Sequence, residues 1–305
     1  IMPSLVGSEM CIRDRTRLDL ATDVLGQQKT MVLVDLLNGS LICPDVKHVF
    51  KKKGIMSYTC KNCRLAKKNH LSMASLTLLR LGDINLGDGV VKALSVGLEK
   101  SKSLTVLDLS STKFGPNVAT ALASAIAVSA SLTSLKLYEN NISDEGVTAI
   151  VSALKESKVS QIKELNIGLN RIGPDGAKAI AAFCAVSASL TSLSLADTKL
   201  GDEGVEALSI GLKESKVCKI KELNIQVNDI GSGGAKAIAV FCDDSASLTS
   251  LWTSYNNISG DGAKHLAFAV LAKRTLENFS GIPLNKLRED CLLYTSDAAD
   301  DSLRV

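Results

Sequence analysis

The densest chemistry in this sequence lies between residues 43 and 70. Cys60 and Cys63 are separated by two residues, the spacing of one knuckle of a tetrahedral zinc site. Cys43, His48 and His70 are the other thiol and imidazoles nearby. A zinc site here would draw on Cys60, Cys63, Cys43 and His48, with His70 as a further candidate. The competing reading is a pair of free thiols in a basic surface segment. A redox pair would need a strand–helix–strand context that the flanking residues lack. No other constellation resembles a reaction centre. His48, His70 and His265 are the only histidines, and none forms a recognisable pair with a serine or cysteine nucleophile. Gly231-Ser-Gly-Gly234 is followed by no Lys-Ser/Thr pair, so it does not read as a phosphate loop. The chain is therefore expected to be no enzyme, with zinc in 16–73 as its one candidate cofactor.

The elements that would position any site repeat. The pattern L-x-x-L-x-L begins at Leu76, Leu104, Leu132, Ile162, Leu190, Ile220 and Leu248, with an eighth start at Leu276. The steps are 28 residues, or 30 for the two that begin at Leu132 and Leu190. Within the unit from Leu132, the residues Leu132, Leu135 and Leu137 suit a short buried strand with its entry turn. Ala149, Ile150, Ala153 and Leu154 then follow the spacing of a buried helix face. Gly146 recurs as Gly89, Gly176, Gly204, Gly234 and Gly262, where a side chain would crowd one helix against the next. The ninth position holds Asn140, Asn170, Asn228 and Asn256, or Thr112 and Thr198. Stacked units would place these in a ladder that satisfies buried turn backbone. Ile84 breaks the ladder in the first unit. Residues 131–188 and 189–246 align without gaps and are identical at most positions, so the unit of expansion is a pair of repeats.

The stretches L-T-S-L-K-L-Y-E-N-N-I-S-D-E-G-V-T-A-I at 132–150 and L-T-S-L-S-L-A-D-T-K-L-G-D-E-G-V-E-A-L at 190–208 resemble the leucine-rich repeat superfamily, specifically its ribonuclease-inhibitor-like class. The resemblance covers about residues 74–290. It implies an α/β fold: a right-handed solenoid or horseshoe, with a parallel sheet on the concave face and helices on the convex face. It also implies intracellular protein binding, as scaffold or sensor part of a longer protein. Some arrays of this class activate GTPases, and Arg80 and Arg171 are the only arginines on the strand or turn face here, so that reading stays as an alternative. A zinc module at 16–73 with the array as its arm is another.

In such an array, residues between the motif leucines face outward. Arg80, Asp108, Lys136 and Trp252 belong to one outward row, and Tyr138 and Tyr255 to its neighbours. Most outward residues are small or polar. Trp252, the only tryptophan, and nearby Tyr255 depart from that. Aromatic anchors of this kind are what binding hot spots use. The expected partner-binding set is therefore Trp252, Tyr255, Tyr138, Lys136, Asp108 and Arg80. The alternative is that Trp252 packs on a neighbouring repeat.

Both ends resemble translated sequencing adapters, since Met10–Asp14 and Cys291–Ser296 can be encoded by opposite strands of one DNA element. The expected organisation is 1–15 adapter-derived, 16–73 an N-terminal capping segment with the basic Cys-x-x-Cys stretch, 74–290 the array, and 291–305 adapter-derived. The natural product is expected to continue in both directions, and the adapter segments to have little structure. The formal charge of +3 is uneven, because residues 16–73 carry ten Lys/Arg against four Asp/Glu, which leaves the array near neutral. A near-neutral, aromatic-poor array gives no reason to expect nucleic acid. No apolar run is long enough for a membrane span. Cys184 and Cys242 fall on the buried helix side, and no paired cysteine framework appears, which suits a cytoplasmic setting. His265 is expected to be a partly buried helix residue.

Overall fold

The computed structural model describes residues 76–82, 88–286 and 288, with backbone alone at 88–93 and in four short strands near the N-terminus. Two compact units divide at Ile162 and Lys163. The first holds β1 (Cys11–Asp14), β2 (Arg17–Asp19), β3 (Val46–Lys51), β4 (Ile55–Cys60), β5 (Leu78–Arg80), α1 (Asp88–Lys100), β6 (Val106–Asp108), α2 (Pro116–Val128), β7 (Ser134–Lys136) and α3 (Ser143–Glu156). The second holds β8 (Glu164–Asn166), α4 (Pro174–Cys184), β9 (Ser192–Ser194), α5 (Gly201–Glu214), β10 (Glu222–Asn224), α6 (Ser232–Asp244), β11 (Ser250–Trp252), α7 (Gly260–Ala272), β12 (Asn278–Phe279) and β13 (Ile282–Pro283).

Each of β5 to β11 starts two residues after its motif start, inside the window that the repeat predicts. Parallel strands need long crossovers, and one helix per repeat supplies them. In the first unit β2, β5, β6 and β7 pair in parallel, with Leu79 opposite Leu107 and Leu107 opposite Leu135. In the second, Leu165, Leu193, Leu223 and Leu251 stand in one register row. Among the described residues, the motif leucines are fully or almost fully buried. Each such side chain contributes roughly 1.5–3 kcal/mol by leaving water.

Helix starts follow the local sequence. Pro116 and Pro174 open α2 and α4, where a missing N–H costs nothing. Asp144 and Glu145 sit in the first turn of α3, and Asp202 and Glu203 in that of α5, where the helix dipole favours carboxylates. Asp202 also accepts a 2.6 Å hydrogen bond from the Gly231 N–H, which ties α5 to the turn before α6. The recurring glycine has the expected packing role. A Cβ on Gly146 would lie 2.9 Å from the Ala119 Cβ of α2 and 2.7 Å from the Ile142 side chain.

Three expectations change. Residues 16–73 are not all outside the repeats, because β2 adds to β5 in parallel with Leu18 opposite Leu79. Leu18-Asp19-Leu20, followed by Gly26, matches Leu107-Asp108-Leu109, followed by Gly115. The signal was hidden by Arg15, which stands where the motif's first leucine would be. Second, Cys11–Asp14 was expected to have little structure, yet it pairs with β2 in an antiparallel arrangement. An exposed strand edge is a template for whatever chain lies beside it. Third, Leu276 does not begin a full repeat. β12 pairs with β11 in parallel, and the chain then reverses at Gly281, with φ +87°, into the antiparallel β13. Gly281 occupies the place of a core leucine, and Pro283 has no N–H to offer a further strand. Most of the expected capping segment, including 20–45, and 291–305 lie outside the described residues.

Candidate partner-binding face

The outward side of the sheet is built by alternation. Leu251 points into the core, so Ser250 and Trp252 point away from it. Trp252 is partly exposed and stands in register with Asn224, which is in register with Ser194. Three residues on, Tyr255 is 84% exposed.

A turn of unusual backbone presents Tyr255. The residue before each ladder position has positive φ: Ser111, Glu139, Leu169, Asp197, Val227 and Tyr255 lie between +52° and +60°. None is glycine, so each repeat accepts left-handed backbone at a cost of roughly 1–2 kcal/mol. The ladder holds these turns. Asn256 Oδ1 accepts hydrogen bonds from Asn228 N at 2.8 Å and Ile230 N at 3.1 Å. Its Nδ2 donates to Ile225 O at 3.0 Å and Thr253 O at 2.8 Å. Tyr255 is thus an exposed ring on a fixed backbone. Asn228 is fully buried and repeats the scheme: its Oδ1 accepts from Thr198 N, Thr198 Oγ1 and Leu200 N at 2.9–3.2 Å. Asn140 does the same for Thr112 and Phe114. The ladder expected from the ninth position is present.

Below Trp252, Asn224 turns its Oδ1 to the Gln226 N–H at 3.1 Å, and Asn166 does likewise with Gly168. Glu222 is exposed and accepts a 3.0 Å hydrogen bond from Ser192 Oγ.

The remaining residues of the expected set lie in the first unit. Arg80, Asp108 and Lys136 share one register row. The structure commits Asp108 internally: it is only 7% exposed, with Oδ2 2.8 Å from Arg80 Nε and Oδ1 3.1 Å from the Ser110 N–H. Lys136 and Tyr138 are partly exposed beside it. Trp252 and Tyr255 belong to the second unit, so the set falls into two groups.

The candidate metal ligands are only partly placed. His48 lies on β3 and Cys60 ends β4, with Val46 opposite Cys60 and His48 opposite Tyr58. Cys43, Cys63 and His70 lie outside the described residues. His265 differs from expectation. It is exposed, with Nδ1 2.6 Å from the Asp261 carbonyl oxygen one turn back, while Leu266 and Val270 take the buried face of α7. Cys184 and Cys242 are core residues, as expected. Burial raises both thiols far above their ordinary range, Cys242 to about 12.

The leucine-rich repeat family model matches residues 100–123, 128–151, 162–181, 186–209 and 218–239. With the buried leucines, parallel strands and asparagine ladder, these matches make the chain a leucine-rich repeat protein. Members of the family generally act by binding other proteins. Among solved structures, the chain is similar to actin-binding site 2 of leiomodin-1, at 18% identity over 50% of this chain and 96% of that one, with a TM-score of 0.39. It is also similar to an internalin from Listeria monocytogenes, at 18% identity over 68% of this chain, with a TM-score of 0.44. The match spans 54% of that internalin chain.

Proposed function

We propose that the chain is a non-catalytic protein-binding module whose contact surface is the outward sheet face around Trp252 and Tyr255. Lys136 and Tyr138, with the Arg80–Asp108 pair beside them, are proposed as further contacts on the first unit. The observation that carries this reading is Tyr255: an aromatic ring 84% exposed on a turn locked by five hydrogen bonds of the Asn256 side chain. A large exposed ring on a backbone that is already fixed suits binding, because the backbone's ordering cost is already met. Intracellular scaffolding is the setting proposed. The thiols of Cys60 and Cys63 are read as free; one equivalent of zinc retained by the whole chain after dialysis would contradict that.

The test uses a partner captured from extract and then purified. Trp252→Ala and Tyr255→Ala are each expected to weaken it by about 2 kcal/mol, the size of a hot-spot loss, with unchanged circular dichroism. Equal binding by both variants places the contact elsewhere.

A further inference from the structure

Asn166, Ser194, Asn224 and Trp252 stand in one register row across β8 to β11. None carries a charge, whereas the same row of the first unit is Arg80, Asp108 and Lys136. Charges at the margins cancel between neighbours: Lys163 is followed by Glu164, Lys221 by Glu222, and Lys199 lies 3.3 Å from Asp229. The two asparagines are aimed by their own turns. Asn166 Oδ1 accepts the Gly168 N–H and Asn224 Oδ1 the Gln226 N–H, both at 3.1 Å. Each Nδ2 is left to donate, and among the described residues neither has an acceptor. The Ser194 hydroxyl between them has no partner there either. Gly168 and Ala196, two residues further along β8 and β9, are too small to wall off Asn166 and Ser194.

Taking the sheet-face reading above as its basis, we infer that this row binds a neutral oligosaccharide borne by the protein partner. A phosphate-rich or carboxylate-rich ligand would meet no cation along the row. An extended peptide is out of step with it. Groups on one side of such a chain recur every two residues, roughly 6.7 Å, whereas the row repeats at about 4.8 Å and its two amides lie about 10 Å apart. Linked pyranose rings are each about as long as the strand separation. Every ring carries oxygens that accept from an amide N–H, and its hydroxyls also donate to a serine. One ring face is lined by C–H groups, which Trp252 and Tyr255 cover by stacking. Three sugars thus meet Asn166, Ser194 and Asn224, and a fourth stacks on Trp252.

The experiment screens the whole chain on an array of neutral, sialylated and sulfated oligosaccharides, then titrates the neutral hits as free sugars. A purified glycoprotein carrying the best hit is tested next, before and after enzymatic removal of its glycans. Neutral sugars bound with an affinity that salt leaves unchanged support the inference, as does a glycoprotein that loses binding with its glycans. Asn166→Asp/Asn224→Asp keeps both Oδ1 acceptors and removes both donors. It is expected to weaken the sugars at least tenfold, as is Trp252→Ala. An array with no neutral binder, binding that needs sialate or sulfate, or sugars indifferent to the aspartate pair overturn the inference. So does glycoprotein binding undiminished by glycan removal; if that binding still needs Trp252 and Tyr255, the sheet-face reading stands. Sugars and glycoprotein alike indifferent to Trp252→Ala and Tyr255→Ala overturn both.

Discussion

Among the described residues, Val227 is the β-branched residue that holds positive φ. Its φ is +56° and it is 39% exposed, so little packing compensates. Asn tolerates left-handed backbone where a branched side chain does not. Val227→Asn is therefore expected to raise the urea midpoint, by a stabilisation of about 1 kcal/mol. The neighbouring Asn228 should behave in the opposite way. Removing its amide strands Thr198 N and Leu200 N in a buried turn, while Leu195 O keeps the Thr198 hydroxyl. Asn228→Ala should cost about 3 kcal/mol, since each unsatisfied buried group costs roughly 1–3; a loss under 1 kcal/mol in denaturation would contradict the ladder's role. The two neighbours also show what sequence reveals at this scale. The ladder was legible because a polar side chain recurs where apolar ones surround it. The strained turn was not, because Ser, Glu, Leu, Asp, Val and Tyr share no propensity for positive φ, and the ladder imposes it from outside.

Helices and strands were legible wherever leucine spacing was complete, and misread where one motif position changed. Arg15 hid β2, and Gly281 turned an apparent eighth repeat into a hairpin. That hairpin leads into a closure. Arg288 donates from Nε to Leu271 O at 3.0 Å, from Nη1 to Leu276 O at 3.1 Å and from Nη2 to Val270 O at 3.0 Å, with a further bond to Lys273 O. One guanidinium thus satisfies the carbonyls that the end of α7 leaves open, where a cation also suits the dipole. Arg288→Ala should speed amide hydrogen exchange in β12, β13 and the last turn of α7, with the exchange of α4 unchanged. Exchange that is the same in both proteins would show the contact to be idle. At the helix–helix contact, Gly146→Val has no space to enter, and overpacking of about 2 kcal/mol is expected, read as a lower denaturation midpoint.

For the whole molecule, the buried thiols set an alkaline limit. Cys242 titrates near 12 in the folded chain, and Cys184 is shifted the same way, both through burial. The unfolded thiols release their protons near 9. Below that pH both states are protonated and the thiols add no pH dependence. Above it the unfolded chain binds fewer protons, so stability falls as pH rises from about 9 to 12, by up to roughly 1.4 kcal/mol per unit for each such thiol. A Cys242→Ala variant should show a shallower alkaline decline in thermal midpoint than the parent chain; equal slopes would contradict the buried-thiol account. Among the described residues, no helix is long and apolar enough to cross a membrane. The repeat architecture could be read from the sequence because it is set by burial, which leaves a periodic trace. The contact face could be read only in part. Trp252 and Tyr255 stood out by type, but the internal commitment of Asp108 to Arg80 and Ser110 depends on neighbours 28 residues upstream and two downstream.

The central claim is that a partner covers Trp252, and the chain carries its own probe, since Trp252 is the only tryptophan. Acrylamide quenching of its fluorescence, with a tryptophan-free partner fragment, measures that coverage directly. The account predicts a blue-shifted emission and at least a twofold fall in the quenching constant at saturation. Emission and quenching that do not change while the complex forms would contradict it.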